Sequence, residues 1–361
     1  MGIPFYEAQH FEFGDKLLKQ FLSDAHLPPP ENDGKEILVN LQNGTAEFTN
    51  KGCLLRPFDP DDFLRYQLPF SYDPEAPCPM FDKYLSRVVP DISSRMVLQE
   101  FAGFVFTKYN LEKCLVLLGP GGNGKSVLFN IFNNLFGKEN TLNYSLGLFS
   151  HEYNRAKLIN VLVNYSSEKG FDLHPDTFKA LVSGEPLQAR EPYGRSFTIH
   201  NPTKFIINCN ELPKETDSTE AYFRRLLIVP FTEEISEFEK DISLAEKIIA
   251  NELPGVFNWV IEGLTRILHM RKFTPCSRSD EALKDFRKQT DSVQLWSEEN
   301  NFGNSESKTA VAELYSDYKT FCKDDNYRPL GKNRFSRRLE SNGFARTRLN
   351  NGGAAFHIAK K

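Results

Sequence analysis

Tryptophan is nearly missing from this chain: two residues in 361, beside 31 phenylalanines and 13 tyrosines. Methionine is scarce too, at four. The six cysteines, Cys53, Cys78, Cys114, Cys209, Cys276 and Cys322, lie far apart in sequence. No CxxC pair occurs, which argues against structural zinc, and spacing this wide is not a disulfide scaffold. No run of 18 apolar residues occurs, so neither a transmembrane helix nor a membrane partner is expected. The opening MGIPFYEAQHFEFGDK has no basic start followed by an apolar stretch, and no secretory signal is read there. These absences lead us to expect a reduced, intracellular protein working in the cytoplasm, in the host cell's if the chain is viral or phage-encoded.

What is present is the composition of a globular protein. Hydrophobic residues make up 40% and charged residues 25%, enough to fill several cores and to exclude a mostly disordered chain. The length fits two or three domains at about 150 residues each. The net charge of −4 is unevenly spread: residues 328–361 hold nine Lys/Arg and one Glu, which leaves −12 for the remainder. A basic tail on an acidic body fits a nucleic-acid contact, and equally a solvated surface with chance clustering.

No internal repeat or low-complexity tract is visible. LPPPENDGK (27–35) separates an N-terminal helical piece from ILVNLQNGTAEF (37–48), which reads as a hairpin turning at Asn43-Gly44. After the rigid DPEAPCPM (73–80), two helices are expected over 80–89 and 92–108, from Phe81, Tyr84 and Leu85, then Met96, Val97, Phe101, Phe104 and Val105 at helical spacing. CLVLL (114–118), LINVLV (158–163), KFIINC (204–209) and RLLIVPF (225–231) are short apolar runs of the kind buried parallel strands show. Helical patterns between several of them predict an α/β domain with a largely parallel sheet. Residues 241–290 read as helical. The last 70 residues read as helix, helix, basic helix and hairpin.

One motif stands out. Gly119-Pro120-Gly121-Gly122-Asn123-Gly124-Lys125-Ser126 matches GxxxxGK[ST] in full, between the strand CLVLL and the apolar-periodic helix SVLFNIFNNLF. Glycines let backbone N–H groups turn around phosphates without a Cβ clash. The helix N-terminus adds a positive dipole end. Lys125 supplies a point charge to the β/γ-phosphates, and the Ser126 hydroxyl is placed to ligate Mg²⁺. Residues 119–127, ending at Val127, are thus the expected nucleotide contacts, and ATP with Mg²⁺ the expected ligand. The rival reading is a Gly-rich turn with an incidental Lys-Ser.

Such a loop needs an acid at the end of a neighbouring strand. After LINVLV the sequence offers only Glu168, with no Asp-Asp or Asp-Glu pair. Glu168 is therefore given the water-activating role and a share of the metal, unless it is a surface residue starting a loop. Asn210, ending the strand in FIINCNELP, could contact the γ-phosphate or the attacking water, or could be a turn residue. Arg224 and Arg225 stand just before RLLIVPF and could reach a neighbouring subunit's nucleotide as a finger, or could be surface salt-bridging arginines.

The order of these elements resembles the superfamily 3 helicases, in particular the poxvirus- and phage/plasmid-type primase-helicases. It runs from GPGGNGKS through a strand with a lone terminal SSE and FKALVSGEPLQAREPYGRSF (178–197) to KFIINCNELP and FRRLLIVPF. NLQNGTAEF, YQLPFSYDPEAPCPMFDKYL and VLQEFAGFVF are similar to the helical region preceding that family's ATPase. The resemblance covers about residues 37–232 well and the C-terminal part more loosely. It implies Walker A at residues 119–126, the Walker B acid at Glu168, sensor 1 at Asn210 and an arginine finger within Arg224-Arg225. Gly184-Glu185 stands where the family usually has Gly-Asp. The implied fold is an α/β AAA+ P-loop ATPase core with a mainly helical N-terminal domain and a C-terminal winged-helix domain. Its expected divisions are 1–108 (helical and oligomerising, with a small hairpin), 109–240 (ATPase), 241–290 (helical connection) and 291–361 (winged-helix-like, DNA-binding).

The resemblance further implies a ring-shaped homo-oligomer, a hexamer, moving on single-stranded or forked DNA in replication of a phage, virus or mobile element; many family members carry a primase or polymerase module upstream, and none fits in the roughly 110 residues before this loop. Two features could grip DNA. QAREPYGRSFTIH (188–200) reads as strand, tight turn at Tyr193-Gly194-Arg195, strand, with an aromatic for stacking and an Arg for phosphate. An ordinary surface hairpin is the alternative. In GKNRFSRRLES (331–341), Phe335 and Leu339 share a helical face, leaving Lys332, Arg334, Arg337 and Arg338 for phosphates or for docking on an acidic neighbour. The rival activity is an ATP-switched origin- or primer-binding initiator that does not unwind.

Overall fold

The computed structural model describes residues 11–24, 37–49, 52–167, 174–200, 203–213, 220–325, 327, 329–350 and 352–361. The sequence's Pro-rich 27–35 falls outside these. Helix α1 (Phe11–Asp24) comes first, then the three-stranded antiparallel meander β1 (Ile37–Leu41), β2 (Gly44–Thr49) and β3 (Gly52–Arg56). The expected hairpin is present, one residue displaced: Leu41 pairs with Gly44, so the turn is Gln42-Asn43. The Asn43 amide is held by Tyr72, donating to its carbonyl at 2.9 Å and accepting from its N–H at 2.8 Å. The third strand, GCLLR, was not foreseen.

Helices α2 (Pro79–Val88) and α3 (Ile92–Phe104) follow, close to the expected spans. Asp91 caps α3 by accepting from Ser94 N at 2.7 Å, the usual role of an N-cap carboxylate. The central sheet has the order β10–β4–β9–β6–β5 with every pairing parallel. Its strands are β4 (Cys114–Leu118), β5 (Thr141–Leu142), β6 (Val163–Ser167), β9 (Lys204–Cys209) and β10 (Leu226–Pro230). Helix α4 (Lys125–Phe136) joins β4 to β5, and the short α5 (Glu152–Ala156) precedes β6. Between β6 and β9 stand α6 (Pro175–Val182) and the antiparallel hairpin β7 (Pro186–Arg190) and β8 (Ser196–His200). The one-turn α7 (Glu220–Phe223) leads into β10.

LINVLV is not a strand. Leu158 and Val161 are buried, but in turns that feed the core beneath the sheet, and β6 starts at Val163 and runs through VNYSS. An apolar run reports burial, not extension, and a strand carrying Asn and Ser is hidden from that signal.

Strand alternation divides the packing. On one face Leu115, Leu117, Tyr165, Ile206 and Val229 meet α4, α2, α3 and the later helices α8 (Leu244–Asn251) and α9 (Leu253–Met270). The meander's Val39, Leu41, Ala46 and Phe48 join this same core. The described residues of 37–106 therefore pack as one body with the central sheet. Helices α3 and α9 are in close contact: a Cβ on Gly263 would come within 2.1 Å of the Gln99 carbonyl, so only glycine fits there. Buried Glu100 is matched by the Arg266 guanidinium at 2.8 Å and Thr274 N at 2.8 Å, as a buried carboxylate requires. The opposite face packs Val116, Ile207 and Ile228 against Phe178, Leu181, Tyr222 and Phe286, the last from α10 (Ser277–Thr290).

A third core lies in the C-terminal segment. Its elements are α11 (Ser292–Glu299), β11 (Phe302–Ala310), α12 (Val311–Asp324), α13 (Lys332–Ser341), β12 (Arg346–Arg348) and β13 (Ala354–Lys360). The strands form an antiparallel sheet of order β11–β13–β12. Trp296, Tyr318, Phe335 and Phe356 are fully buried at its centre. Strand β11 was not expected, because FGNSESKTA is polar and largely exposed and lacks the alternation that marks a half-buried strand. Among the described residues no helix is long and apolar enough to cross a membrane.

Candidate nucleotide site and nucleic-acid surfaces

The parallel register brings three carboxyl strand ends to one edge of the sheet. Leu118 lies beside Cys209, Leu117 beside Asn208, and Asn208 beside Ser167. The loop 119–124, Asn210 and the end of β6 therefore gather at the place where open α/β sheets bind ligands. Glu168, the residue after β6, and Asp172 lie outside the described residues.

The loop is tightly backed on one side and open on the other. Gly119 N donates to Cys209 O at 3.2 Å, and a Cβ on Gly119 would stand 2.1 Å from Phe231 O. Asn123, buried, donates its amide to Phe231 O at 2.9 Å. Ile235 N donates to Gly122 O at 3.2 Å. Outward, a Cβ on Gly121 or Gly122 would meet nothing within 4 Å. Gly124 adopts φ +86° and ends the loop where α4 begins, and a helix N-terminus at such a place attracts anions.

Lys125 is only 5% exposed. Its ammonium is folded onto the loop, donating to Gly119 O, to Pro120 O at 2.9 Å and to Asn123 Oδ1 at 3.0 Å. Burial pushes the neighbouring Cys209 thiol up to about 12, against the pull of that ammonium. Pro120 and Ser126 are exposed and Val127 is half-buried. Ser126 is the loop's exposed hydroxyl, and a cation carried by phosphates needs little more. Among the described residues no cluster of three His, Cys, Asp or Glu forms. The loop, Lys125 and Ser126 fit a nucleotide with Mg²⁺.

Two contributors at this edge escaped the sequence. Among the described residues, Asn208 Oδ1 is buried with no hydrogen-bond partner, one residue inside the end of β9. A lone Asn inside FIINC was the available signal. Tyr84 donates its hydroxyl to Gly124 O at 2.9 Å from 40 residues away, which no local pattern reveals. Asn210 lies exposed just past the strand end.

Arg224 and Arg225 sit at the opposite edge. Arg225 O accepts from Cys114 N at 2.7 Å, at the start of β4, about 16 Å from the loop at ~3.3 Å per strand residue. The two arginines differ. Arg225 is buried, its guanidinium donating to Ser183 Oγ at 2.9 and 2.6 Å and to Ala221 O, and pairing with Glu112 at 3.0 Å. Arg224 is 56% exposed, and its guanidinium pairs with the rim carboxylate of Glu112 at 3.1 Å. Within this chain Arg225's guanidinium is thus engaged by the fold, while Arg224's is the more exposed of the two.

The hairpin β7–β8 ends in Tyr193, fully exposed at φ +61°, with Gly194 O accepting from Arg190 Nε at 3.0 Å and Arg195 exposed. Its base is fixed by Arg155, which donates to Gln188 O at 2.6 Å. On α13, Phe335 and Leu339 are buried as expected, and Lys332, Arg334 and Arg337 are exposed. Arg338 departs from the expectation. It donates to Asp291 Oδ2 at 2.9 and 2.8 Å, and Asp291 is itself buried, so Arg338 closes α13 onto α11 rather than facing outward.

With this geometry in view, three family models match the chain. Residues 10–90 match a D5 N terminal like family, 117–225 a family of unknown function (DUF5906), and 285–352 a poxvirus D5 protein-like family. The chain is 22% identical over 253 residues to L207/L206 of Acanthamoeba polyphaga mimivirus, a helicase by name, covering 65% of this chain. It is 23% identical over 226 residues to 121R of Invertebrate iridescent virus 3, also a helicase by name, covering 58% of this chain. The chain spans about a quarter of the length of these relatives, 26% and 24%. Among solved structures it shares the fold of the NrS-1 C terminal region, with TM-score 0.51 and 13% identity over 96% of this chain and 91% of that one. A second apo structure of that region gives 0.50 over 91% and 97%. D5-like segments thus lie on both flanks of the phosphate loop, the viral relatives bear helicase names, and the fold is that of the NrS-1 C terminal region.

Proposed function

We propose that this chain is the ATP-hydrolysing motor of a DNA helicase, working as a hexameric ring on single-stranded or forked DNA during replication of a phage, virus or mobile element. The observation that carries this reading is the phosphate loop at the centre of a parallel sheet, with Lys125 and Ser126 opening α4 and two asparagines, Asn208 and Asn210, at the end of the adjacent strand. Lys125 trades its loop carbonyls for the β/γ-phosphates. Ser126 takes part in holding Mg²⁺, which when bound neutralises charge developing on the phosphates. Glu168 serves as the base that polarises water and Asn210 orients that water. Arg224, too far from its own loop, is directed at the loop of the next subunit. The site of action is the cytoplasm, and a primase or polymerase module in a longer protein would supply primers to the same strand.

Nucleic acid is gripped at two places in this reading. Tyr193 stacks on bases and Arg195 meets phosphate in the ring's pore. The C-terminal order helix–strand–helix–helix–strand–strand is read as a winged helix, with α13 and the β12–β13 hairpin on the duplex. Changing Lys332, Arg334 and Arg337 together to Ala is expected to flatten the log–log salt dependence of DNA binding by about two to three units, at ~0.7–0.9 per phosphate contact. The measurement is fluorescence anisotropy across salt concentrations with ring size checked on the same sample. An unchanged slope with intact rings removes α13 from the DNA interface. Adding Arg338→Ala should cost stability instead, because Asp291 loses its partner.

The function itself is tested by ATP hydrolysis with and without single-stranded DNA. Stimulation by DNA is the expected result, and hydrolysis indifferent to DNA counts against the reading. The second reading, an ATP-switched origin or primer binder, is favoured by the same basic helix if strand separation is absent.

A further inference from the structure

Helix α2 hydrogen-bonds to the phosphate loop through Tyr84. Tyr84 is 5% exposed and donates its hydroxyl to Gly124 O at 2.9 Å. That carbonyl also accepts from Val127 N at 2.9 Å and Leu128 N at 3.3 Å, the bonds that start α4. In a trans peptide the carbonyl and the following N–H point in opposite directions. Holding Gly124 O inward therefore aims the Lys125 N–H at the open side of the loop.

The contact is braced. Gly124 sits at φ +86° and has no side-chain cap, and Val88 Cγ1 would be 2.8 Å from any Cβ there. One turn along α2, Arg87 donates to Glu234 O at 2.8 Å and pairs with Glu239 at 3.1 Å. The segment it holds is the one whose Ile235 N bonds Gly122 O. Helix α2 thus holds the loop at both Gly122 and Gly124. Across from Tyr84, on β6, the fully buried Tyr165 hydroxyl has no hydrogen-bond partner among the described residues.

We propose that Tyr84 is a positioning residue for nucleotide binding: its hydroxyl sets the plane of the Gly124–Lys125 peptide, and through it the helical body carrying α2 tunes the loop's hold on phosphate. The inference rests on residues 119–126 being a phosphate site. It differs from the Lys125 role in that Tyr84 touches no ligand and should move affinity, not chemistry.

The test is titration of the full chain with a fluorescent ATP analogue, together with steady-state ATPase and thermal melting. Tyr84→Phe keeps the ring and removes one hydrogen bond. It is expected to raise Kd and KM for ATP by roughly five- to tenfold, with kcat within about twofold and melting close to the parent. Tyr165→Phe removes the unpartnered hydroxyl and should leave Kd unchanged. A parental Kd and KM in Tyr84→Phe overturns the proposal, whether or not the melting point falls. If the parent chain itself binds no nucleotide, the phosphate-site reading fails and the inference with it. Binding by the parent with an unaltered Tyr84→Phe variant sinks the inference alone.

Discussion

Lys125→Ala is expected to lower ATP hydrolysis at least about a hundredfold, the scale on which removal of one preorganised transition-state donor is felt. The ammonium is buried at the mouth of α4 and bonded to three acceptors of its own loop. It exchanges these loop acceptors for phosphate oxygens, and no other described cation is bonded to the loop to replace it. The truncation also strands Gly119 O, Pro120 O and Asn123 Oδ1, a cost of about 1–3 kcal/mol at most because the loop's outer side is open to water. Phosphate release should therefore collapse while a cooperative melt survives. Turnover within tenfold of the parent would remove residues 119–126 from the chemistry.

Arg224→Ala and Arg225→Ala should fail in different ways. Arg225 lies buried among Ser183, Ala221 O and Glu112, so its loss leaves acceptors unmatched and should destabilise the fold by about 1–3 kcal/mol. Arg224 is exposed, and its removal should cost within about 0.5 kcal/mol of stability. Yet if it reaches the neighbour's nucleotide, Arg224→Ala should lower hydrolysis by roughly a thousandfold in assembled rings, with nucleotide binding retained. Mixing Arg224→Ala with Lys125→Ala subunits should restore part of the activity, since each supplies what the other lacks. No recovery in rings demonstrated to exchange subunits would end the trans role.

Much of this site was legible in sequence because local patterns carried it. CLVLL and KFIINC are strands with the bounds their apolar runs suggest, and GPGGNGKS announces the loop by itself. What was not legible is set by distant partners. Arg224 and Arg225 are equivalent in FRRLL and become different only when Ser183, 42 residues away, meets one of them. Arg338 looks like its neighbours until Asp291, 47 residues earlier, claims it. Tyr84 has the spacing of a core residue, and nothing local shows that its hydroxyl ends on Gly124. LINVLV misled for a related reason: Leu158 fills the core from a turn, Ile159 is exposed, and the strand begins only at Val163 and carries Asn164 and Ser166, both buried. The Asn164 amide finds Tyr144 and the Ser166 hydroxyl finds Ile206 O.

The most direct test of a ring motor is strand separation on a forked duplex with ATP, followed by a labelled strand's release. The parent chain is expected to release the strand in an ATP-dependent manner, Lys125→Ala to release none, and a non-hydrolysable ATP analogue to support binding without release. Forked DNA bound tightly in ATP, with ATP hydrolysed and no strand released at any enzyme concentration, would contradict the helicase reading and leave the ATP-switched binder in its place.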